Sequence, residues 1–272
     1  MGYDAHTGTY RRVPRGFRSD TVVVSWFENA MFKGGRPTVY GVFASLMKLL
    51  FLHARFRRVV LVRHNIVPHG ASVRWKWLVD FFYKFCDEKV AHNYHEDYRP
   101  IPHPRYRADA GDCSCDGGVV PLAQPGEIAI FGRIVAYKRY EAWFDVLPED
   151  RDILVFGEAP DKTYLEQLQT VARSRRGIRI VDNQPCDRCA AAAITSCGTV
   201  FVANDNERAL VSGSLIFSLE LPVTILVPAG KSLGLYGHIT PSDTAEGLGM
   251  AATHPVEALE QQATNAWRDV LQ

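Results

Sequence analysis

The chain has 272 residues, 47% hydrophobic and 22% charged, a composition that excludes fibrous and disordered classes. Its net charge of +1 conceals an asymmetry: residues 1–107 hold 18 Lys and Arg against 8 Asp and Glu, whereas residues 108–272 hold 13 against 22. Opposite signs in the two halves predict two domains, the basic one suited to an anionic surface or a phosphate-bearing molecule. With no recognisable binding motif and no long basic run, nucleic acid is not an expected partner. Met1–Arg18 has no apolar core of the secretory-signal kind, and Val39–Leu52, interrupted by Lys48, is too short to span a bilayer. A cytoplasmic protein with its six cysteines reduced is therefore expected.

In chain order, a basic arm (Arg11, Arg12, Arg15, Arg18) precedes a strand over Thr21–Trp26 and a loop carrying Glu28. Thr38–Phe56 reads as a helix with apolar residues around most of its circumference and a basic exit at Arg55, Arg57 and Arg58. A strand over Val59–Val62 runs into Arg63-His64-Asn65-Ile66-Val67-Pro68-His69-Gly70; a helix over 72–86 and a short strand over Glu88–Ala91 follow. Arg107–Gly118, small and polar, reads as the linker between domains over 1–112 and 113–272. Beyond it strands and helices alternate: Ile128–Phe131, a helix with Trp143 and Phe144, Asp152–Phe156, a helix over Lys162–Arg175, and Ile178–Val181. The alternation continues through a helix over Cys186–Ser196, Thr199–Val202, a helix over Ser212–Glu220 and Val223–Val227, and a helix over Pro255–Leu271 ends the chain. Such alternation predicts a parallel sheet layered by helices.

The organising stretch is Glu127–Ala159. Its two strands end at Gly132 and Gly157, and a loop with Arg133, Lys138 and Arg139 leaves the first. Ligands of open parallel sheets bind beyond the carboxyl ends of the strands, so these cations suit a diphosphate. Val211-Ser212-Gly213-Ser214 opens a helix, where free amides and a glycine admit a phosphate or Ser212 serves as a plain N-cap. His64, Asn65 and His69 crowd the end of one strand, as groups that bind a sugar hydroxyl or act as a general base. Cys113-Ser114-Cys115 and Cys186-Asp187-Arg188-Cys189, with Cys197 beyond, fit zinc spacings poorly, so no metal is expected.

HNIVPH, IPHPRY, FGRIVAYKRY with ILVFGEAP, and SGSLIFSLELPVTILVPAGKSL together resemble motifs of bacterial glycosyltransferases with two Rossmann-like domains (the GT-B type). The likeness spreads over Ser25–Leu233 and is nearest to enzymes that extend exopolysaccharide or lipid-linked saccharides. It implies an α/β fold with two Rossmann-like domains whose parallel sheets face a cleft, the first domain shortened. It implies transfer of a sugar from a nucleoside-diphosphate sugar to a saccharide hydroxyl, without cofactor or metal. By the resemblance Gly132, Arg133, Lys138, Ser212 and Gly213 bind the donor diphosphate, and Gly157, Glu158 and Glu207 its nucleotide. Asn65 and His103 face the acceptor, and His69, His64 or Glu28 supplies a base. Of the paired glutamates of many retaining members, Glu207 stands at the first position and Leu215 at the second. A lipid-linked acceptor would bring the basic half to the anionic inner face of the plasma membrane. An epimerase on the same fold or a non-catalytic nucleotide-sugar-binding subunit is the alternative.

Overall fold

The computed structural model describes residues 20–68, 70–103, 123–183, 185–203, 212–228, 233–241, 248–253 and 255–271. The strands are β1 (Thr21–Ser25), β2 (Phe32–Lys33), β3 (Arg36–Pro37), β4 (Arg58–Arg63), β5 (Glu88–Ala91), β6 (Arg99–Pro100), β7 (Ile128–Phe131), β8 (Ile153–Gly157), β9 (Ile178–Asp182), β10 (Thr199–Phe201), β11 (Thr224–Pro228), β12 (Gly237–Pro241) and β13 (Leu248–Thr253). The helices are α1 (Val39–Arg55), α2 (Lys76–Tyr83), α3 (Tyr140–Phe144), α4 (Lys162–Arg173), α5 (Asp187–Cys197), α6 (Gly213–Ser218) and α7 (Val256–Leu271). They form a four-stranded sheet ordered β1-β4-β5-β6, a seven-stranded sheet ordered β12-β13-β11-β10-β7-β8-β9 and a β2-β3 ribbon. The fold is α/β with parallel sheets. Two compact units divide the chain, residues 1–63 with 67–90 and residues 64–66 with 91–272.

In the first unit β4 is buried from Val59 to Arg63, as a strand covered on both faces must be, and β1 pairs parallel to it. The Thr38 side chain caps α1 by accepting from the Gly41 amide at 3.0 Å. Gly41 is obligatory there, because a Cβ would meet the Ala30 and Met31 carbonyl oxygens at 2.7 and 2.8 Å. α1 buries Ser45, Leu49 and Leu52 and exposes Tyr40, Phe43, Met47 and Leu50. The helix expected over 72–86 is a short 3-10 turn followed by α2, which ends at Tyr83.

In the second unit the strand period of two divides side chains between two cores. Ile128 and Ile130 of β7 and Ile153 and Val155 of β8 join Tyr140, Phe144, Leu165 and Leu168 of α3 and α4. Ala129, Leu154 and Phe156 face the other way, with Ala190 and Ile194 of α5, Leu215 and Phe217 of α6, and Leu259 of α7. Each fully buried aliphatic or aromatic side chain contributes about 1.5–3 kcal/mol, so helices cover both faces of the sheet. Asp161 caps α4 by accepting from the Thr163 and Tyr164 amides, and Gly198, with φ 72°, ends α5 in the left-handed conformation. β12 and β13, absent from the sequence reading, extend the sheet antiparallel beyond β11. Their glycines, Gly237 and Gly249, interrupt the apolar alternation that would have revealed them.

Candidate functional site

From β7 the chain winds one way through β8 and β9, then returns to place β10 against the other side of β7. At such a reversal of strand order, neighbouring connections leave a crevice at the carboxyl ends of the strands, the usual ligand position in an open α/β sheet. Gly132 stands at that point with φ 118°. A Cβ on it would lie 2.8 Å from the Ser214 hydroxyl oxygen and 3.0 Å from the Lys138 ammonium nitrogen. The absence of a side chain at Gly132 thus lets a hydroxyl and a cation converge on bare backbone.

Each converging group is held from behind. The Ser214 hydroxyl donates to the Phe131 carbonyl at 2.9 Å, tying α6 to the end of β7. Lys138 ends a 3-10 turn, and Arg139 beyond it has φ 50°. The Trp143 indole donates to the Lys138 carbonyl at 3.0 Å, and the Tyr140 hydroxyl donates to the Arg133 carbonyl at 2.9 Å. Burial, aided by the neighbouring Arg133 charge, pushes the Lys138 ammonium down to about 8. The Tyr140 ring lies beside it, 5.7 Å from the nitrogen to the centroid. Among the described residues no carboxylate is ion-paired with Lys138; Glu158 pairs instead with Arg133 at 3.3 Å, both exposed. A desolvated cation without a counter-charge is costly, and an anion in the crevice would offset that cost.

The diphosphate residues expected from the sequence fall around this crevice in different roles. Gly132 and Lys138 meet there, and Arg133 is exposed at the exit of β7. Ser212 acts as an N-cap, its side chain accepting from the Leu215 amide at 3.4 Å, and Gly213 is the exposed first residue of α6. Ser214, two residues on, is the hydroxyl beside Lys138, which the sequence reading passed over because Ser212 satisfies the same short motif. Gly157 is buried against Gly132, and Glu158 follows it as the partner of Arg133. Asp182, at the end of β9, accepts from the Ala159 amide at 2.8 Å and pairs with Lys162, a bracing contact the sequence did not signal. Glu207 and His69 lie outside the described residues.

A second constellation gathers within the same unit. The His64 ring lies 5.0 Å from His92 and 6.1 Å from His103, centroid to centroid, and His92 lies 4.7 Å from His103. His64 and His92 are buried, Asn65 is buried beside His64 in sequence, and His103 is half-buried. His92 donates from Nδ1 to the Ile101 carbonyl at 3.0 Å. The Tyr236 hydroxyl donates to the His92 carbonyl at 2.6 Å and accepts from the His103 amide at 3.0 Å. Burial, with the neighbouring imidazoles, pushes His64 down to about 3; burial also holds His92 at about 4. Both are neutral at neutral pH, and bases that weak are poorly matched to taking a proton from a hydroxyl there. His92 was not singled out in the sequence, where only its neighbourhood to HNYH marks it. Glu28 belongs to the other unit, wholly buried and accepting from the Tyr83 hydroxyl at 2.8 Å.

No family model matches the chain, and no curated protein does. Among solved structures, AviGT4, a glycosyltransferase involved in avilamycin A biosynthesis, matches at 13% identity with a TM-score of 0.38, covering 93% of this chain and 96% of that one.

Proposed function

We propose that the protein transfers a sugar from a nucleoside-diphosphate sugar to a saccharide hydroxyl, with the donor diphosphate in the crevice beside Gly132. The observation that carries this reading is Lys138, a desolvated cation at the strand-order reversal with no acidic partner among the described residues. The ordered motifs that resemble glycosyltransferases support the same assignment. The acceptor oxygen bonds to the anomeric carbon as the bond from that carbon to the diphosphate oxygen breaks; the hydroxyl proton leaves to the departing phosphate or to water, and negative charge grows on the leaving phosphate. Lys138, fixed by its rigid loop, stabilises that charge without reorganisation. Arg133 joins it by exchanging Glu158 for phosphate, a small sacrifice because an exposed ion pair contributes about 0–1 kcal/mol. The Ser214 hydroxyl, tied to the Phe131 carbonyl, holds the start of α6 beside the phosphate.

A thermal-shift screen of nucleoside diphosphates and their sugars tests the site. At least one diphosphate should stabilise the wild type, and Lys138→Ala should remove about 1.5–3 kcal/mol of its binding. Release of nucleoside diphosphate that depends on an added saccharide acceptor would establish transfer, whereas turnover without acceptor would favour the epimerase alternative. Indifference to every nucleoside diphosphate sinks the reading.

We further propose that the acceptor is lipid-linked and that the first unit meets an anionic bilayer. Tyr40, Phe43, Met47 and Leu50 of α1 and Trp77 and Phe81 of α2 are exposed apolar side chains; Arg55 ends α1, and Arg57 and Arg58 lie just beyond it. An exposed apolar helix face beside cations suits a surface of anionic lipid, each cation contributing about 1 kcal/mol. Among the described residues no helix is long and apolar enough to cross a membrane. Salt-sensitive sedimentation with anionic but not neutral vesicles is the expected result, and no sedimentation at low salt would favour an acceptor in solution. The basic arm invoked from the sequence lies outside the described residues.

A further inference from the structure

Three segments far apart in sequence, the residue after β4, the residue after β5 and the stretch after β6, bring His64, His92 and His103 together. One nitrogen from each ring lies within 4.8 Å of the others. Among the described residues, the charged groups that bear on His64 and His92 are the other imidazoles. The three rings are thus drawn together around one point, His64 and His92 buried and His103 half-buried, as the ligand set of a single ion would be.

We infer that His64, His92 and His103 bind one divalent transition-metal ion of the zinc class, leaving its fourth position for water or a small ligand. Imidazole nitrogen suits zinc, cobalt, nickel and copper, while magnesium and calcium demand oxygen donors. Since His92 donates from Nδ1 to Ile101, its lone pair sits on Nε2, so the tautomer is already chosen. A histidine ligand held through its other nitrogen by a backbone carbonyl is the usual arrangement around a bound metal. Tyr236 ties the backbone of His92 to that of His103 through one hydroxyl, fixing the spacing of two ligands. Zinc–nitrogen bonds of about 2.0–2.1 Å need the three nitrogens about 3.3 Å apart, which modest ring rotations supply. This site is independent of the crevice beside Gly132 and does not rest on the sugar-transfer reading.

The test is titration of the full-length, chelator-treated protein with cobalt(II), followed by visible ligand-field absorption. One equivalent should bind with the intense bands of a tetrahedral site, and zinc should displace it. His103→Gln, at the half-buried ligand, should weaken cobalt binding at least about tenfold, and Tyr236→Phe, which keeps all three rings, by about tenfold. Lys138→Ala should leave cobalt binding unchanged, so failure of the nucleotide site and failure of this one are distinguishable. X-ray absorption of the zinc-loaded wild type reports the ligands without any variant, and a shell of nitrogen and oxygen scatterers with no sulfur is expected. A sulfur shell, an absence of saturable cobalt binding, or unaltered affinity in folded His103→Gln would each overturn the assignment.

Discussion

Gly157 lies directly against the backbone of Gly132. A Cβ built on Gly157 would stand 2.6 Å from the Gly132 carbonyl carbon, and closer still to its oxygen, at a φ of 150°. The two glycines end neighbouring parallel strands, so their contact fixes how the β7 loop leaves the sheet.

Gly157→Ala is expected to destabilise the protein by at least about 1–3 kcal/mol, since backbone obstructs the methyl and the φ strains any L side chain. Gly132→Ala should behave differently. Gly132, at φ 118°, carries the same strain for any L side chain, but its methyl meets the ends of the Ser214 and Lys138 side chains rather than backbone. Chemical denaturation should therefore show the smaller loss for Gly132→Ala, together with a loss of nucleotide-dependent stabilisation.

Lys138→Met should make the ligand-free protein more stable while removing nucleotide binding. The folded pKa of about 8 lies below the ordinary 10.5, so the fold carries a penalty whenever the lysine is charged. That penalty is complete below about pH 8 and is relieved as pH rises towards 10.5. The variant's advantage, about 1–2 kcal/mol near neutral pH, should accordingly shrink over that interval in paired denaturation curves. Nucleotide affinity in the wild type should fall above pH 8, by no more than about tenfold per pH unit, as the ammonium loses its proton. Lys138→Arg should flatten the alkaline limb if it still binds.

Acid should unfold the second unit through the histidine cluster. His64 titrates at about 3 and His92 at about 4 in the folded protein, both depressed from 6.5 by burial foremost. The unfolded chain takes up protons below pH 6.5 that the fold refuses until pH 4 and then 3, so stability is lost across that window. His92→Gln, measured with chelator present, should show a shallower decline between pH 6.5 and 4 than the wild type. Parallel curves for the two proteins would remove His92 from the effect.

In the first unit the guanidinium of Arg63 is wholly buried and donates to Asp80 at 2.7 Å, with Lys76 on the other carboxylate oxygen at 2.6 Å. Those two cations hold the Asp80 carboxyl below its ordinary range against the opposing effect of burial. Asp80→Ala should cost about 3 kcal/mol, because it strips an acidic partner from a buried charge. Lys76→Ala, removing an exposed i,i+4 pair, should cost no more than about 0.5 kcal/mol. Urea midpoints of the two variants check the contrast.

The sequence by itself determined the element types. Alternating strands and helices, strand ends at Gly132 and Gly157, and a cationic loop at Arg133 and Lys138 follow from local periodicity and turn chemistry, which act within a few residues. Tertiary structure decided which strand lies beside which. β10 pairs with β7 some seventy residues earlier, and that pairing alone makes a crevice in which Ser214, rather than Ser212, stands beside Lys138. It also decided that Lys138 is desolvated, since burial depends on Tyr140 and Trp143 folding back over the loop. His64 was legible as a strand-end histidine and His103 through the family resemblance, but their meeting with His92 was not, because no spacing rule links positions on separate segments. Pairing and burial are set by contacts between distant parts of the chain, which a short-range pattern does not encode.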